Sequence, residues 1–328
     1  MRRTISIKTI LPGIEKLWNE TDKGDPKVKI AVLDGPVDLE HNSLKGSNII
    51  SIDETVNKNI RSPLGPFVSS LIFSNGGCEF EGVAPICSGI IKTIYHEGEN
   101  GQLISCSQSD IAQGIIAALD YGVSIINISG GERLNKGEKI ITPLKNALDR
   151  CEREGVLVIA ATGNEGEDSI DVPANHPNVL AVGSINDQGE PSVFSNGNTD
   201  SAGQGIVAPG ENITGAKPQA DDDDDKALAS GTSFSTALVS GVAGLLLSLQ
   251  KAQGIPLDPL MIRKVLFNSV SPCAKESKYK CMIGRLDIEE AMHRTLNQCG
   301  NPMSPSGCQC QSKQHQAEIL LPKEVIPL

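Results

Sequence analysis

Residues 230–247 read "SGTSFSTALVSGVAGLLL". Small polar residues crowd the start, and small or aliphatic residues fill the rest. The spacing predicts a helix over 233–254 that is apolar almost all round, and so central to a core. Ser233 stands in its first turn, behind Gly231 and Thr232. A helix N-terminus offers unpaired N–H groups and the positive end of a dipole. Both favour negative charge developing on an oxygen held there. One capping serine is common, but here Ser, Gly and Thr crowd where one cap would suffice. The apolar run "ALVSGVAGLLLSL" is too short to cross a bilayer.

Working outward from this helix, strands alternate with helices. "VKIAVLD" (28–34), "SGIIKTIYH" (88–96), "VSIINIS" (123–129), "VLVIAAT" (156–162) and "VLAVGSI" (179–185) are short apolar runs of the kind that form buried parallel strands. Helices are predicted over 107–122, 142–155, 258–270 and 287–296. Thr142 is expected to cap the second of these, with Pro143 in its first turn and Gly155 as its stop. Asp258 is expected to cap the third. This order predicts an α/β fold in three layers, a mostly parallel sheet with helices on both faces, and sites at the C-terminal strand ends. Residues 1–24 read as an N-terminal extension and 25–296 as the main domain. Residues 297–328, rich in Pro, Ser, Gln and Cys without periodicity, read as a flexible tail suited to docking a partner protein.

The formal charge of −11 excludes nucleic acid and anionic membranes as expected partners, since both need basic patches. The first residues lack the apolar core of a secretion signal, which points to the cytoplasm. In that compartment the nine cysteines are expected to be mostly free thiols. Cys308 and Cys310 form a C-x-C without zinc-like neighbours. No metal or cofactor is assigned.

Three stretches carry chemistry. In "VLDGPVD", Asp34 closes a buried strand, where a carboxylate is costly unless paired or hydrogen-bonded. In "AATGNEG" (160–166), Asn164 follows a strand between glycines and can project its amide into a cleft. In the opening stretch, Ser233 starts the central helix. Singly, the aspartate reads better as a turn residue before Gly35-Pro36, and the asparagine at least as well as a turn asparagine.

Together, in this order, they resemble the aspartate, oxyanion-asparagine and serine motifs of the subtilisin-like serine proteases, over about residues 25–295. The resemblance implies that Asp34 orients a histidine, that Asn164 donates to the oxyanion and that Ser233 is the nucleophile. "ISGG" resembles the strand that pairs with the substrate backbone, which implies substrate contacts at Ser129, Gly130 and Gly131. "DGPVD", "INISGGE", "VLAVGS" and "APGENITGAKP" further resemble the cyanobactin maturation proteases, in particular the type that removes the leader of a ribosomal precursor peptide. A peptide partner follows from that resemblance.

One motif departs from the pattern. The family's histidine motif, His-Gly-Thr-His-Val, aligns with "LGPFV". Leu64 stands at the catalytic histidine, Gly65 matches, and Pro66 and Phe67 follow. Leucine has no proton-accepting atom. Two readings stay open: a serine endopeptidase impaired in hydrolysis, or a pseudoprotease that binds peptides or partners. A third, with Asp34 and Asp38 as metal ligands, leaves the serine motif unexplained. Two further departures are Ser235 and Ala237, where alanine and proline are usual. The run Asp221–Asp225 reads as a solvated, self-repelling loop or as an acidic rim that selects charged peptides.

Overall fold

The computed structural model describes residues 6–53, 62–76, 80–97, 103–104, 106–134, 137–197, 205–217, 225–274 and 280–298. In chain order the elements are α1 (Ile7–Ile10), α2 (Ile14–Thr21), β1 (Lys29–Asp34), β2 (Ile49–Ser51), α3 (Leu64–Phe73), β3 (Ser88–Thr93), β4 (His96–Glu97) and β5 (Leu103–Ile104). Then come α4 (Gln108–Asp120), β6 (Ile125–Ile128), α5 (Thr142–Glu154), β7 (Leu157–Ala161), β8 (Val179–Ile185), β9 (Gly205–Pro209), β10 (Ile213–Ala216) and β11 (Lys226–Ala229). The chain continues through α6 (Thr232–Ala252), α7 (Pro259–Asn268), β12 (Val270–Ser271), β13 (Arg285–Leu286) and α8 (Ile288–Gln298).

The sheet order is β12-β13-β9-β8-β7-β6-β1-β3-β2, parallel except where β12 meets β13. Side chains alternate across a strand, so each strand feeds two cores. Ile30 and Val32 of β1 pack into the core that holds α6, with Leu157 and Ile159 of β7. Ala31 and Leu33 face the other core, with Ile126 and Ile128 of β6, under α4 and α5. The strands therefore read as unbroken apolar runs. The fold is the expected α/β one, with three layers.

Helix α6 lies across β6 to β9 and touches α2, α3, α7 and α8. Every residue from Thr232 to Gln250 is buried, which accounts for its lack of a polar face. It is the helix among the described residues long and apolar enough to cross a membrane, and its apolar window lies wholly inside the protein. Residues 7–18 also belong to this core, through Ile7, Leu11, Ile14, Leu17 and Trp18.

Several local expectations are corrected. Thr142 is the first helical residue of α5, and Ile141 is the cap. Ile141 has no side-chain acceptor for the first-turn N–H groups, and its own N–H donates to the Gln108 side-chain oxygen at 2.9 Å. Asp258 does cap α7, accepting from the Met261 N–H at 2.9 Å. The run 88–96 does not stay one strand. After Thr93 the N–H groups of Ile94 and Tyr95 both turn onto the Asp34 carbonyl. Among the described cysteines, Cys87, Cys106 and Cys151 are buried free thiols, but Cys273 and Cys281 form a disulfide. The C-x-C pair and the tail from residue 299 lie outside the described residues, as do Asp221–Asp224. Asp225 is described, at the base of the β10–β11 hairpin, where its carbonyl accepts from the Lys217 N–H.

Candidate active site

Asp34 ends β1 and is fully buried. Its Oδ1 accepts from the Gly35 N–H at 2.6 Å, while Oδ2 is buried without a partner. Burial pushes this carboxyl up to about 7, and the single hydrogen bond from Gly35 offsets only part of the effect. An unpaired buried carboxylate is one of the costlier features a core can hold.

Helix α3 begins beside it. A Cβ on Gly65 would lie 2.5 Å from the Pro36 carbonyl oxygen and 2.6 Å from that of Gly35. Only a glycine lets the first turn of α3 come this close to the chain leaving Asp34. Two residues on, Phe67 meets Phe234 with ring centroids 4.3 Å apart. The first turn of α3 is thus wedged between the aspartate loop and the start of α6. Leu64 occupies that turn and packs, half-buried, against the main core. Pro66 fits there because a first turn has N–H groups with no intrahelical partner.

Ser233 is 8% exposed in the first turn of α6. Its hydroxyl donates to the Ser129 carbonyl at 2.6 Å, and the Ser129 hydroxyl donates back to the Ser233 carbonyl at 3.2 Å. Behind this pair, Asn127 donates from Nδ2 to Ser129 Oγ at 2.7 Å and accepts at Oδ1 from the Ser240 hydroxyl at 2.9 Å. This buried network ties the end of β6 to two turns of α6. Sequence reasoning passed over Asn127 and Ser240. The available signal was a polar residue inside "IINIS", where a buried strand otherwise holds only aliphatic side chains.

Asn164 follows β7 across the cleft. Its Oδ1 accepts from the Thr232 N–H at 2.9 Å and from the Thr232 hydroxyl at 3.1 Å. One end of the amide therefore caps α6, and Nδ2 is left as a donor beside the first turn of the serine helix. Gly130 packs so closely on Tyr95 that a Cβ there would lie 1.7 Å from the tyrosine oxygen. That contact keeps the Ser129–Gly131 segment flush against its support.

Three histidines have their ring contacts elsewhere. His41 Nε2 faces the Lys217 carbonyl at 2.8 Å, so it carries the proton, and Nδ1 faces the Ser43 hydroxyl at 2.8 Å. His176 is buried near Asp149, and burial pushes its pKa down. His293 is exposed on α8. The structure brings Asp34, Leu64, Asn164, Ser129 and Ser233 to one end of the sheet, at the C-terminal ends of β1, β6 and β7. The arrangement offers a serine oxygen, helix N–H groups and an amide donor. It places a carbonyl, which accepts hydrogen bonds but not protons, where a base would be needed.

The family model described as Peptidase_S8, the subtilase family, matches residues 25–301. The major intracellular serine protease of Bacillus subtilis (strain 168) is 34% identical over 251 residues, 72% of this chain and 73% of that protein. The structure of the prenylagaramide maturation protease PagA aligns with a TM-score of 0.79 and 40% identity, over 87% of this chain and 99% of that one. The patellamide maturation protease PatA aligns with a TM-score of 0.75 and 40% identity, over 84% and 98%. On this match the chain belongs to the subtilase family, and it is related to the cyanobactin maturation proteases within it.

Proposed function

We propose that this protein binds a ribosomal precursor peptide in the cleft between Ser129–Gly131 and Asn164, and that it hydrolyses that peptide very slowly or not at all. The observation that carries this reading is the pair Asp34 and Ser233. Asp34 Oδ2 is buried without a partner, and the Ser233 hydroxyl is spent on the Ser129 carbonyl. Leu64 stands at the position the family's histidine motif assigns to the base. In this reading Asp34 keeps the orienting position, Ser233 that of the nucleophile, and Asn164 that of the oxyanion donor. In subtilisin, the family's reference case, loss of the histidine lowers kcat by about 10⁶, and the rest of the site retains about 10³–10⁴ over water. That residue of catalysis suits a peptide-binding module better than a turnover enzyme. Two of the relatives matched above, PagA and PatA, are named as maturation proteases, which supports a peptide as ligand.

Incubation with a cyanobactin-type precursor peptide, followed by mass spectrometry, tests the reading. A bound but uncleaved peptide is expected. Multiple turnovers that vanish in Ser233→Ala would overturn it.

A further inference from the structure

Past the C-terminal ends of β8, β9 and β13 lies a cavity of about 670 Å³, closed by α1 and the first turn of α8. That volume is within the range of ligand-binding clefts. Ile10, Pro209 and Leu286 give it apolar walls, and Arg285, Asp187 and Glu211 stand around them. None of its lining residues belongs to the cleft between Ser129–Gly131 and Asn164. The cavity is tied to the start of the serine helix instead. The carbonyl of Pro209, one of the walls, accepts from the Ser235 hydroxyl at 3.1 Å. The carbonyl of the next residue, Gly210, accepts from the Gly231 N–H at 2.9 Å.

Arg285 lies across the turn after β8, with Nη1 2.8 Å from the point where a Cβ on Gly189 would sit. Among the described residues it makes no ion pair, and neither do Asp187 and Glu211. An apolar hollow ringed by uncommitted charges of both signs fits a segment of the same make-up. The chain supplies one. Residues 299–317 carry no branched aliphatic or aromatic side chain. Residues 318–328 read "EILLPKEVIPL", with Ile319, Leu320, Leu321, Val325, Ile326 and Leu328 set among two glutamates and a lysine. The segment also has the reach. Helix α8 starts in the cavity wall and ends at Gln298, about 16 Å away at 1.5 Å per residue. Residues 299–317 can span up to about 60 Å.

We infer that residues 318–328 dock into this cavity of their own chain. Their aliphatic side chains cover the apolar walls, a glutamate meets Arg285, and Lys323 meets the carboxylates of Asp187 and Glu211. The partner that the tail's composition asks for is then the protein itself. The docked segment covers the wall that holds Ser235 and so braces the first turn of the serine helix. Docking within one chain needs little intrinsic affinity. A tether of this kind gives an effective concentration of about 1 mM, so a Kd of about 10–100 μM keeps the cavity filled about 90–99% of the time. The inference is independent of the peptide-binding reading above.

The test uses the full chain and a fluorescein-labelled synthetic peptide of residues 316–328, read by fluorescence anisotropy. Leu320→Asp with Leu321→Asp in the chain removes the tail's apolar grip and leaves the cavity open. The labelled peptide is expected to bind this open variant with a Kd of about 10–100 μM. It is expected to bind the unaltered chain about tenfold or more weakly, because the attached tail competes at about 1 mM. Adding Arg285→Glu or Asp187→Lys to the open variant is expected to weaken binding about fivefold or more. Neither side chain holds an ion pair among the described residues, so neither change breaks one in the fold. No binding to the open variant, or equal binding to it and to the unaltered chain, overturns the inference. Binding that neither charge change weakens places the peptide elsewhere and also overturns it. A dimer of the unaltered chain in light scattering, lost in the open variant, assigns the tail to a neighbouring copy and overturns docking within one chain.

Discussion

The hydroxyl of Ser233 and the carbonyl of Ser129 stand 2.6 Å apart, with the serine as donor. A carbonyl in that place accepts the hydrogen bond but takes up no proton. A fluorophosphonate probe asks directly whether this oxygen attacks. Labelling of Ser233 is expected to be slower than in an intact subtilase by several orders of magnitude, in line with the roughly 10⁶-fold effect of losing the base. Intact-mass spectrometry over hours reads it, and rapid stoichiometric labelling would contradict it.

The double variant Leu64→His, Phe67→His puts imidazole groups at the positions the family pattern assigns to them. Peptide hydrolysis is expected to rise by about 10²-fold or more. Phe67 also packs on Phe234, so its loss is expected to lower stability, and Leu64→His alone is the control. A gain in hydrolysis that survives Ser233→Ala would place the new activity elsewhere.

Asp34 makes stability depend on pH. Folding raises its pKa from an ordinary 3.8 to about 7. Between those values the folded protein holds a proton that the unfolded chain has released, so stability falls as pH rises through that window. Above pH 7 the full cost is present, at most about 4 kcal/mol. Asp34→Asn removes the charge. It is expected to raise Tm by several degrees at pH 8 and to lose that advantage at pH 4. Thermal unfolding at the two pH values checks the difference, and a gain independent of pH would show that charge is not its cause.

Gly65 is the residue that lets α3 approach the aspartate loop. Gly65→Ala adds a methyl group 2.5 Å from the Pro36 carbonyl oxygen. A loss of about 1–3 kcal/mol is expected from the forced shift. Denaturant midpoints measure it, and an unchanged midpoint would mean that the helix start moves freely.

The Cys273–Cys281 bridge closes a short loop with a sequence separation of 8. Loop entropy puts its contribution at about 2–3 kcal/mol. Reduction or Cys273→Ser is expected to lower Tm by about 3–5 °C. A Tm unmoved by reductant would show that the bridge adds nothing.

Much of this protein is written in local pattern. Apolar strand runs, the featureless helix after Ser233 and the acid closing "VKIAVLD" specify a parallel α/β layering, because hydrophobic period and turn chemistry act over a few residues. The three motifs name the candidate residues for the same reason, and "LGPFV" shows that no imidazole belongs to that turn. Tertiary structure decided the rest. It left Asp34 Oδ2 without a partner, spent the Ser233 hydroxyl on Ser129, and ran Asn127 and Ser240 into one network across 113 residues of chain. It also joined the Ile141 N–H to Gln108, bonded Cys273 to Cys281, and set Asp171 against Gly131. Each of these depends on which distant atoms meet, and hydrogen bonding and burial are settled by such meetings rather than by the neighbours a residue has in the chain.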